Sequence, residues 1–409
     1  MRGGDSSSAR GEVVRLPRFV ESAPSVRGVR DRPGEDTVNP ILNTHRHTDH
    51  GDGAAGDDRA ALDDALRRYL DRRLGEAERV DGEFGGELAG TTVRFTLEGG
   101  KRMRSRLAWW GWTTGGGASC GDAARSALQA CAALELIQTC ALVHDDVMDG
   151  SPTRRGRPSV HADHIGEHLR DGLAGEPRRY GEALAVLVGD LALVWADDML
   201  GEALPGVPEP ERARAVWRKL RTEIMAGQFL DVRTQARRER SEEAALRVDL
   251  LKTASYSVER PLHLGAAMAG AGPGTVDALR GYGRDVGTAF QLRDDLLGVY
   301  GDSDRTGKPV GEDIREGKCT LLLVAGIRLA RERGDTAALR LLDLVGAPGA
   351  DADPAEVADA LDRVGARDLV RRRCRELAAR GEARLEGLDA PGTALEGLRA
   401  LAALTADPP

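Results

Sequence analysis

Residues Glu135 to Pro158 read ELIQTCALVHDDVMDGSPTRRGRP, an apolar helical run that ends in acid. Asp145, Asp146 and Asp149 stand at spacings of one and four. Residues four apart share a helix face, so Asp145 and Asp149 point the same way, and Asp146 lies roughly 100° round the helix. Three carboxylates this close repel one another and resist ionising together without a cation. A hard, oxygen-seeking ion such as Mg²⁺ relieves that repulsion, and Mg²⁺ usually shares its ligands with a substrate phosphate. Arg154 and Arg155 follow directly, and a guanidinium fork matches phosphate oxygens. The stretch fits metal-assisted handling of a phosphorylated substrate. It also suits a solvated helix end, and a second acidic stretch favours the chemical reading.

That second stretch is Ala289 to Leu323, AFQLRDDLLGVYGDSDRTGKPVGEDIREGKCTLLL. It too begins as an apolar helix and ends in paired acids, Asp294 and Asp295, before a loop carrying Lys308, Asp313 and Lys318. Two acidic helices facing each other across a cavity can hold metals between them, with a diphosphate as the bridge. DDVMD followed by RRG, FQLRDD followed by GKPVGED and EGK, and GGKRMR at Gly99 to Arg104 together resemble the trans-isoprenyl diphosphate (polyprenyl) synthases. They are most like the geranylgeranyl diphosphate synthases. The resemblance implies an all-α fold, the isoprenoid-synthase helical bundle around a deep central cavity. It implies a Mg²⁺-dependent prenyltransferase that joins isopentenyl diphosphate to an allylic diphosphate.

Residue roles follow from the same resemblance. Asp145 and Asp149 are expected to bind Mg²⁺ from one wall and Asp294 from the other, with Asp146 and Asp295 in a second tier. Lys252, in LLKTASYS, is expected at the allylic diphosphate with Arg154, Lys308 and Lys318. Lys101, Arg104, Arg155 and Gln138 are expected to hold isopentenyl diphosphate, which carries no metal in this family. Gln291, Gln228 and Asp231 are expected to face the cavity, and His144 to orient a neighbouring carboxylate. Cys140 and Ala141, one turn before Asp145, are small where shorter-product relatives place an aromatic plug. That predicts a C20 product, geranylgeranyl diphosphate, with longer products as the main alternative. One position departs from the family pattern: the second motif reads DDLLG, with Gly298 where an aspartate is usual.

Other readings are weaker. A class I terpene cyclase also ionises an allylic diphosphate, but it has no need of the GGKRMR and RRG cations. A non-catalytic partner subunit fits poorly with intact Asp145, Asp149, Lys252 and Asp294. GDSDRTGKP is not a nucleotide-binding loop, because its glycines are spaced wrongly and Pro309 replaces Ser or Thr. THRHTDH, with His45, His47, Asp49 and His50, resembles a metallo-hydrolase motif but lacks a strand framework around it.

The elements that position these residues read as helices throughout. Residues 1–58 are rich in Gly, Ser, Arg, Asp and Pro without periodicity and are expected to be a disordered tail; residues 59–409 are expected to form the synthase domain. Residues 61–74 show helical periodicity. The 82–97 region reads as a loop or short helix, and an apolar helix follows GGKRMR. Residues 123–148 read as a buried central helix, and His161–His168 as a connector. Helices are then expected at 181–204, 211–236, 242–270, 274–300, 316–332, 336–346, 354–363 and 366–385, with no strand.

Charged residues make up 30% of the 409, and the formal net charge is −8. That argues against a nucleic-acid partner, which favours a basic surplus. Five scattered cysteines without a CxxC pair fit a reducing cytoplasm. No apolar leader opens the sequence, and no uncharged run reaches the roughly 18 residues that would span a bilayer. The resemblance also implies a homodimer.

Overall fold

The computed structural model describes residues 53–301, 311–349 and 352–408. Residues 1–52 of the proposed tail, with its histidine motif, and Lys308 lie outside the described residues; the last part of that tail, residues 53–58, is instead the first turns of helix α1. The described chain is a helical bundle: α1 (Gly53–Val80), α2 (Gly82–Phe84), α3 (Gly90–Leu97), α4 (Met103–Thr114), α5 (Asp122–Asp149), α6 (Val160–Asp171), α7 (Pro177–Ala203), α8 (Pro210–Arg237) and α9 (Glu242–Val248). Then come α10 (Arg260–Ala269), α11 (Pro273–Tyr300), α12 (Glu312–Arg315), α13 (Leu321–Arg333), α14 (Thr336–Leu344), α15 (Pro354–Arg363), α16 (Ala366–Ala383) and α17 (Gly392–Ala406).

Helix α5 is the central post. Its alanine-rich first half, including Ala127, Ala130 and Ala133, is almost wholly inaccessible to solvent. Small side chains let α7 and α4 approach closely, and Trp195, Ala196 and Met199 of α7 join the same core. Its apolar stretch has a mean hydropathy of 1.4, enough by length and composition for a membrane span, yet 67% of it is buried among the other helices. A second apolar cluster joins Leu292 and Leu296 of α11 to Leu322 and Ile327 of α13 and Val370 of α16. The five cysteines are all free thiols.

Of the two readings offered for the 82–97 region, the helical one holds, with a five-residue π turn at Gly85–Ala89. Three elements differ from the sequence reading. The His161–His168 connector is helix α6, because Val160, His161, His164 and His168 turn inward and are buried. Thr153–Arg154 and Arg157–Pro158 form a two-residue antiparallel ladder. Its turn, Arg155–Gly156, has φ of 56° and 73°, the doubly left-handed geometry that closes a tight hairpin. Helix α17 falls beyond the last helix the sequence suggested; Tyr282 donates a 2.7 Å hydrogen bond to its Leu398 carbonyl.

The expected helix over 242–270 is continuous but widens into a π-helix at Asp249–Glu259. A π segment is broader than an α-helix and recurs at functional sites. Its neighbours make room with glycine. A Cβ at Gly227 on α8 would sit 2.5 Å from the Lys252 nitrogen, and one at Gly287 on α11 would sit 2.7 Å from the Ala254 Cα.

Candidate active site

Helix α5, the π segment, α11 and the loop before α4 face one cavity of about 640 Å³. Asp145 lines it from α5, Asp249, Lys252 and Thr253 from the π segment, and Gln291, Asp294 and Asp295 from α11. Lys101, Arg104, Gln138, Arg155 and Lys318 line it as well. With Asp231, eleven of the expected site residues are therefore brought to one wall system, from segments more than 200 residues apart in sequence.

On the first acidic wall, the Lys252 Nζ lies 3.0 Å from Asp145 Oδ1 and 2.6 Å from Asp231 Oδ2. Gln228 also donates to Asp145 Oδ1, at 2.8 Å. Burial opposes ionisation of Asp145, but the charge and hydrogen bond of Lys252 outweigh it and hold the carboxyl below its ordinary range. Burial likewise opposes the charge on Lys252, and Asp145 and Asp231 reverse that, holding its ammonium above the ordinary range. Asp149 stands one turn on, 3.7 Å from Lys318 Nζ. Burial first, and then the neighbouring Asp145, push its carboxyl up to about 6.

Asp146 has no solvent exposure. Arg154 Nε donates to its Oδ1 at 2.8 Å, and the Arg154 Nη2 lies 3.8 Å from Asp145 Oδ2. Arg154 therefore neutralises the buried Asp146 and does not line the cavity, where the sequence reading expected an anion clamp. A fully buried carboxylate demands a paired cation, and the hairpin delivers one while turning Arg155 toward the cavity. His144 also differs from expectation: its Nε2 is 3.1 Å from the Val186 carbonyl, and the carboxylate nearest to it is Asp190 on α7, at 3.7 Å.

On the second wall, Asp294 is exposed to the cavity and Asp295 is buried. Gln291 donates to Asp295 Oδ1 at 2.7 Å and accepts from Thr253 Oγ1 at 2.5 Å. Burial, and then Asp249, raise the Asp295 carboxyl well above its ordinary range. Burial and Asp231 raise Asp249 in the same way. The Oδ2 atoms of Asp249 and Asp295 are buried without a hydrogen-bond partner.

The cationic side is built from a strained loop. Gly99, Gly100 and Arg102 have φ of 75°, 82° and 51°. Arg102 is 5% exposed and hydrogen-bonds Asp63, Glu135 and the carbonyls of Thr96 and Leu97. It thereby holds the loop so that Lys101 and Arg104 reach the cavity. Arg104 donates to Ser257 Oγ at 2.7 Å and lies 4.6 Å over the Tyr256 ring. Tyr256 in turn donates to Gln138 Oε1 at 2.8 Å, which leaves the Gln138 amide N–H groups available to a ligand.

Sequence reasoning missed Asp249, Tyr256 and Ser257 as participants. Lone residues in a helix carry no motif, and their shared face depends on the π widening at Asp249–Glu259. It did single out Gln228 and Asp231, which flank Lys252 as described. Cys140 and Ala141 do not line the cavity. Cys140 is buried in the core, with Sγ 3.6 Å from His144 Nδ1, whereas Ala141 shares a helix row with Gln138 and Asp145 by its spacing.

Among the described residues no three His, Cys, Asp or Glu side chains stand together as a ready-made metal cage. Mg²⁺ does not require such a cage, because it is usually held by one or two carboxylates and completed by substrate phosphates. The donors present are hard carboxylate oxygens, including the buried, unpartnered Oδ2 of Asp146 and Asp295.

Comparison with known proteins agrees with this geometry. The polyprenyl synthetase family model matches residues 87–362. A short chain isoprenyl diphosphate synthase of Methanothermobacter thermautotrophicus is 33% identical over 315 residues, covering 74% of this chain and 85% of its own. A geranylgeranyl diphosphate synthase of Mycobacterium tuberculosis is 34% identical, covering 67% and 71%. The crystal structure of geranylgeranyl pyrophosphate synthase from Corynebacterium glutamicum, complexed with isoprenyl diphosphate and magnesium, superposes with a TM-score of 0.80 at 39% identity, covering 86% and 98%. With its helical bundle, its two facing acidic helices and its cationic loop, this chain belongs to the polyprenyl synthetase family.

Proposed function

We propose that residues 59–409 form a chain-elongating prenyltransferase that condenses isopentenyl diphosphate with an allylic diphosphate and releases geranylgeranyl diphosphate. One observation carries this reading: a single cavity is lined by two chemically different groups of side chains, each read here as an anion site. The first is rich in carboxylates, with Lys252 and Lys318 among them. The second is an arc of bare cations, Lys101, Arg104 and Arg155. A cyclase that binds one diphosphate has no use for the second site.

Asp145, Asp149 and Asp294 would hold Mg²⁺, which supplies neutralisation of the charge that develops on the departing diphosphate. Lys252 and Lys318 add fixed positive charge on the same wall, and the carboxylates around both keep them protonated. Lys101, Arg104, Arg155 and the Gln138 amide orient the isopentenyl diphosphate so that its double bond faces the ionising carbon. Effective orientation alone is worth several kcal/mol of barrier. The released diphosphate accepts the final proton, so no side-chain base is required. Arg104→Ala should therefore raise the KM for isopentenyl diphosphate about ten- to a hundredfold, the worth of a charged hydrogen bond, with the KM for the allylic substrate little changed. Equal effects on both substrates would contradict the two-site assignment.

The relatives named geranylgeranyl diphosphate synthase support the C20 product; Cys140 and Ala141, which do not line the cavity, give it no support. The free thiols support a reducing cytoplasm.

A homodimer is also proposed. Val186, Leu187 and Val194 of α7 and Met225, Phe229 and Val232 of α8 are all more than 40% exposed. Large apolar side chains left facing solvent are candidates for burial against a partner subunit. Phe229→Glu should convert the dimer to monomer in size-exclusion chromatography with light scattering; an unchanged mass would remove this face from the interface.

A further inference from the structure

Both groups of side chains in the cavity lean on one short element, the π segment Asp249–Glu259. Near its start, Lys252 and Thr253 line the cavity, and Lys252 pairs with Asp145 and Asp231 on the acidic wall. Further along, Tyr256 and Ser257 are 2% and 1% exposed, buried behind the wall and outside the lining of the cavity. Each touches a residue that does line it. Tyr256 donates to Gln138 Oε1 at 2.8 Å, and Ser257 Oγ accepts from Arg104 Nη2 at 2.7 Å.

Lys252 and Ser257 are five residues apart. In an α-helix that spacing turns two side chains about 140° away from each other. The i→i+5 pattern of a π-helix brings residues five apart close to one face. The widening is held from outside the segment. Besides the close approaches at Gly227 and Gly287, a Cβ at Gly283 on α11 would sit 2.4 Å from the Glu259 Cα. Glycine therefore meets the segment's backbone near its start, in its middle and at its end.

The two cations are held by partners of different kinds. The Lys252 ammonium is balanced by two carboxylates. Arg104 is held by a hydroxyl and by the face of the Tyr256 ring, 4.6 Å away. Among the described residues Arg104 makes no salt bridge, whereas Arg102, two positions earlier, makes two. The Arg104 Nε is also buried without a hydrogen-bond partner. Neutral contacts fix the direction of a guanidinium while leaving its charge and its other N–H donors for an anion.

We infer that Ser257 is a positioning residue for isopentenyl diphosphate: it aims Arg104 into the cavity, and the π widening brings it to bear from the same helix that carries Lys252. One segment thus sets the spacing between the acidic wall and the arc of bare cations. The inference rests on the prenyltransferase reading for the identity of the ligand at Arg104.

The test is a double-mutant cycle on the full chain, read by calorimetric titration of isopentenyl diphosphate in EDTA and by steady-state kinetics with Mg²⁺. Ser257→Ala should weaken isopentenyl diphosphate binding and raise its KM about tenfold, the worth of one hydrogen bond to a charged group. The KM for a C15 allylic diphosphate, and kcat at saturating isopentenyl diphosphate, should stay within about twofold of the parent, as expected when only binding of one substrate is lost. Ser257→Ala added to Arg104→Ala should cost no more than about twofold beyond Arg104→Ala alone, because residues that act through one contact are not additive. The near-isosteric Ser257→Cys, whose sulfur is a weak acceptor, should reproduce the alanine effect. It keeps the test valid if a thermal melt shows the alanine variant unfolded. Parental binding by the Ser257 variants, equal losses for the two substrates, or losses that multiply in the double variant would each overturn the inference. A non-additive cycle in the titration, from a parent that elongates no primer, would support the inference while rejecting the prenyltransferase reading.

Discussion

Asp145→Asn should lower turnover about a thousandfold while leaving the fold intact. Asparagine has the same shape, and its carbonyl oxygen can still accept from Gln228 and Lys252, which reach Asp145 Oδ1 at 2.8 and 3.0 Å. Lys252 also keeps Asp231 at 2.6 Å, so no buried ammonium is abandoned. What disappears is one negative charge on the wall that would hold Mg²⁺. Loss of a single well-placed electrostatic stabiliser commonly costs about 10²–10³ in kcat. Here the same change also removes a metal donor, which places the effect at the upper end. Steady-state rates with isopentenyl diphosphate and a C15 allylic diphosphate give the measurement, alongside a thermal melt. A kcat within about threefold of the parent, far short of that range, would mean that this wall is not the catalytic one.

Arg102→Ala should produce the largest stability effect. The guanidinium is almost fully buried and ties α1, α3 and α5 together through Asp63, the Thr96 and Leu97 carbonyls, and Glu135. Its removal leaves Glu135, which is 8% exposed, with only Ser105 as a partner at 2.8 Å among its hydrogen bonds. Breaking a buried pair from one side costs about 3–5 kcal/mol. Over a chain of this size that lowers Tm by roughly 5 °C, since the entropy of unfolding scales with length. Arg102→Lys should recover only part of the loss, because one ammonium cannot replace a planar fork that serves four acceptors. A melt of the alanine variant that matches the parent would show that the loop is held by other contacts.

Much of the fold was legible in the sequence because its helices are long and capped by punctuation. Helices α5 and α7 were visible from their apolar runs, although α7 begins at Pro177, four residues before the expected start, and α8 and α11 were bounded by proline. The π widening was not, because i→i+5 geometry follows from packing between α8 and α11, not from local propensity. Helix α6 was hidden by its histidines, which read as polar yet turn inward. The acidic and basic motifs were legible as chemistry. Which charges satisfy one another was not: Arg154 goes to Asp146, and Arg102 goes to Asp63 and Glu135, pairings fixed only by the tertiary arrangement. Asp249 carries no motif at all, and its place beside Asp295 and Asp231 emerges only when three helices meet.

Product analysis tests the central claim most directly. Purified protein is incubated with Mg²⁺, isopentenyl diphosphate and, separately, C5, C10 and C15 allylic diphosphates, and the dephosphorylated products are sized by mass spectrometry. A C20 alcohol is the expected result. Longer alcohols would keep the prenyltransferase and correct the product length. Folded protein that elongates none of the three primers, above all one that releases hydrocarbons into the headspace, would contradict the account.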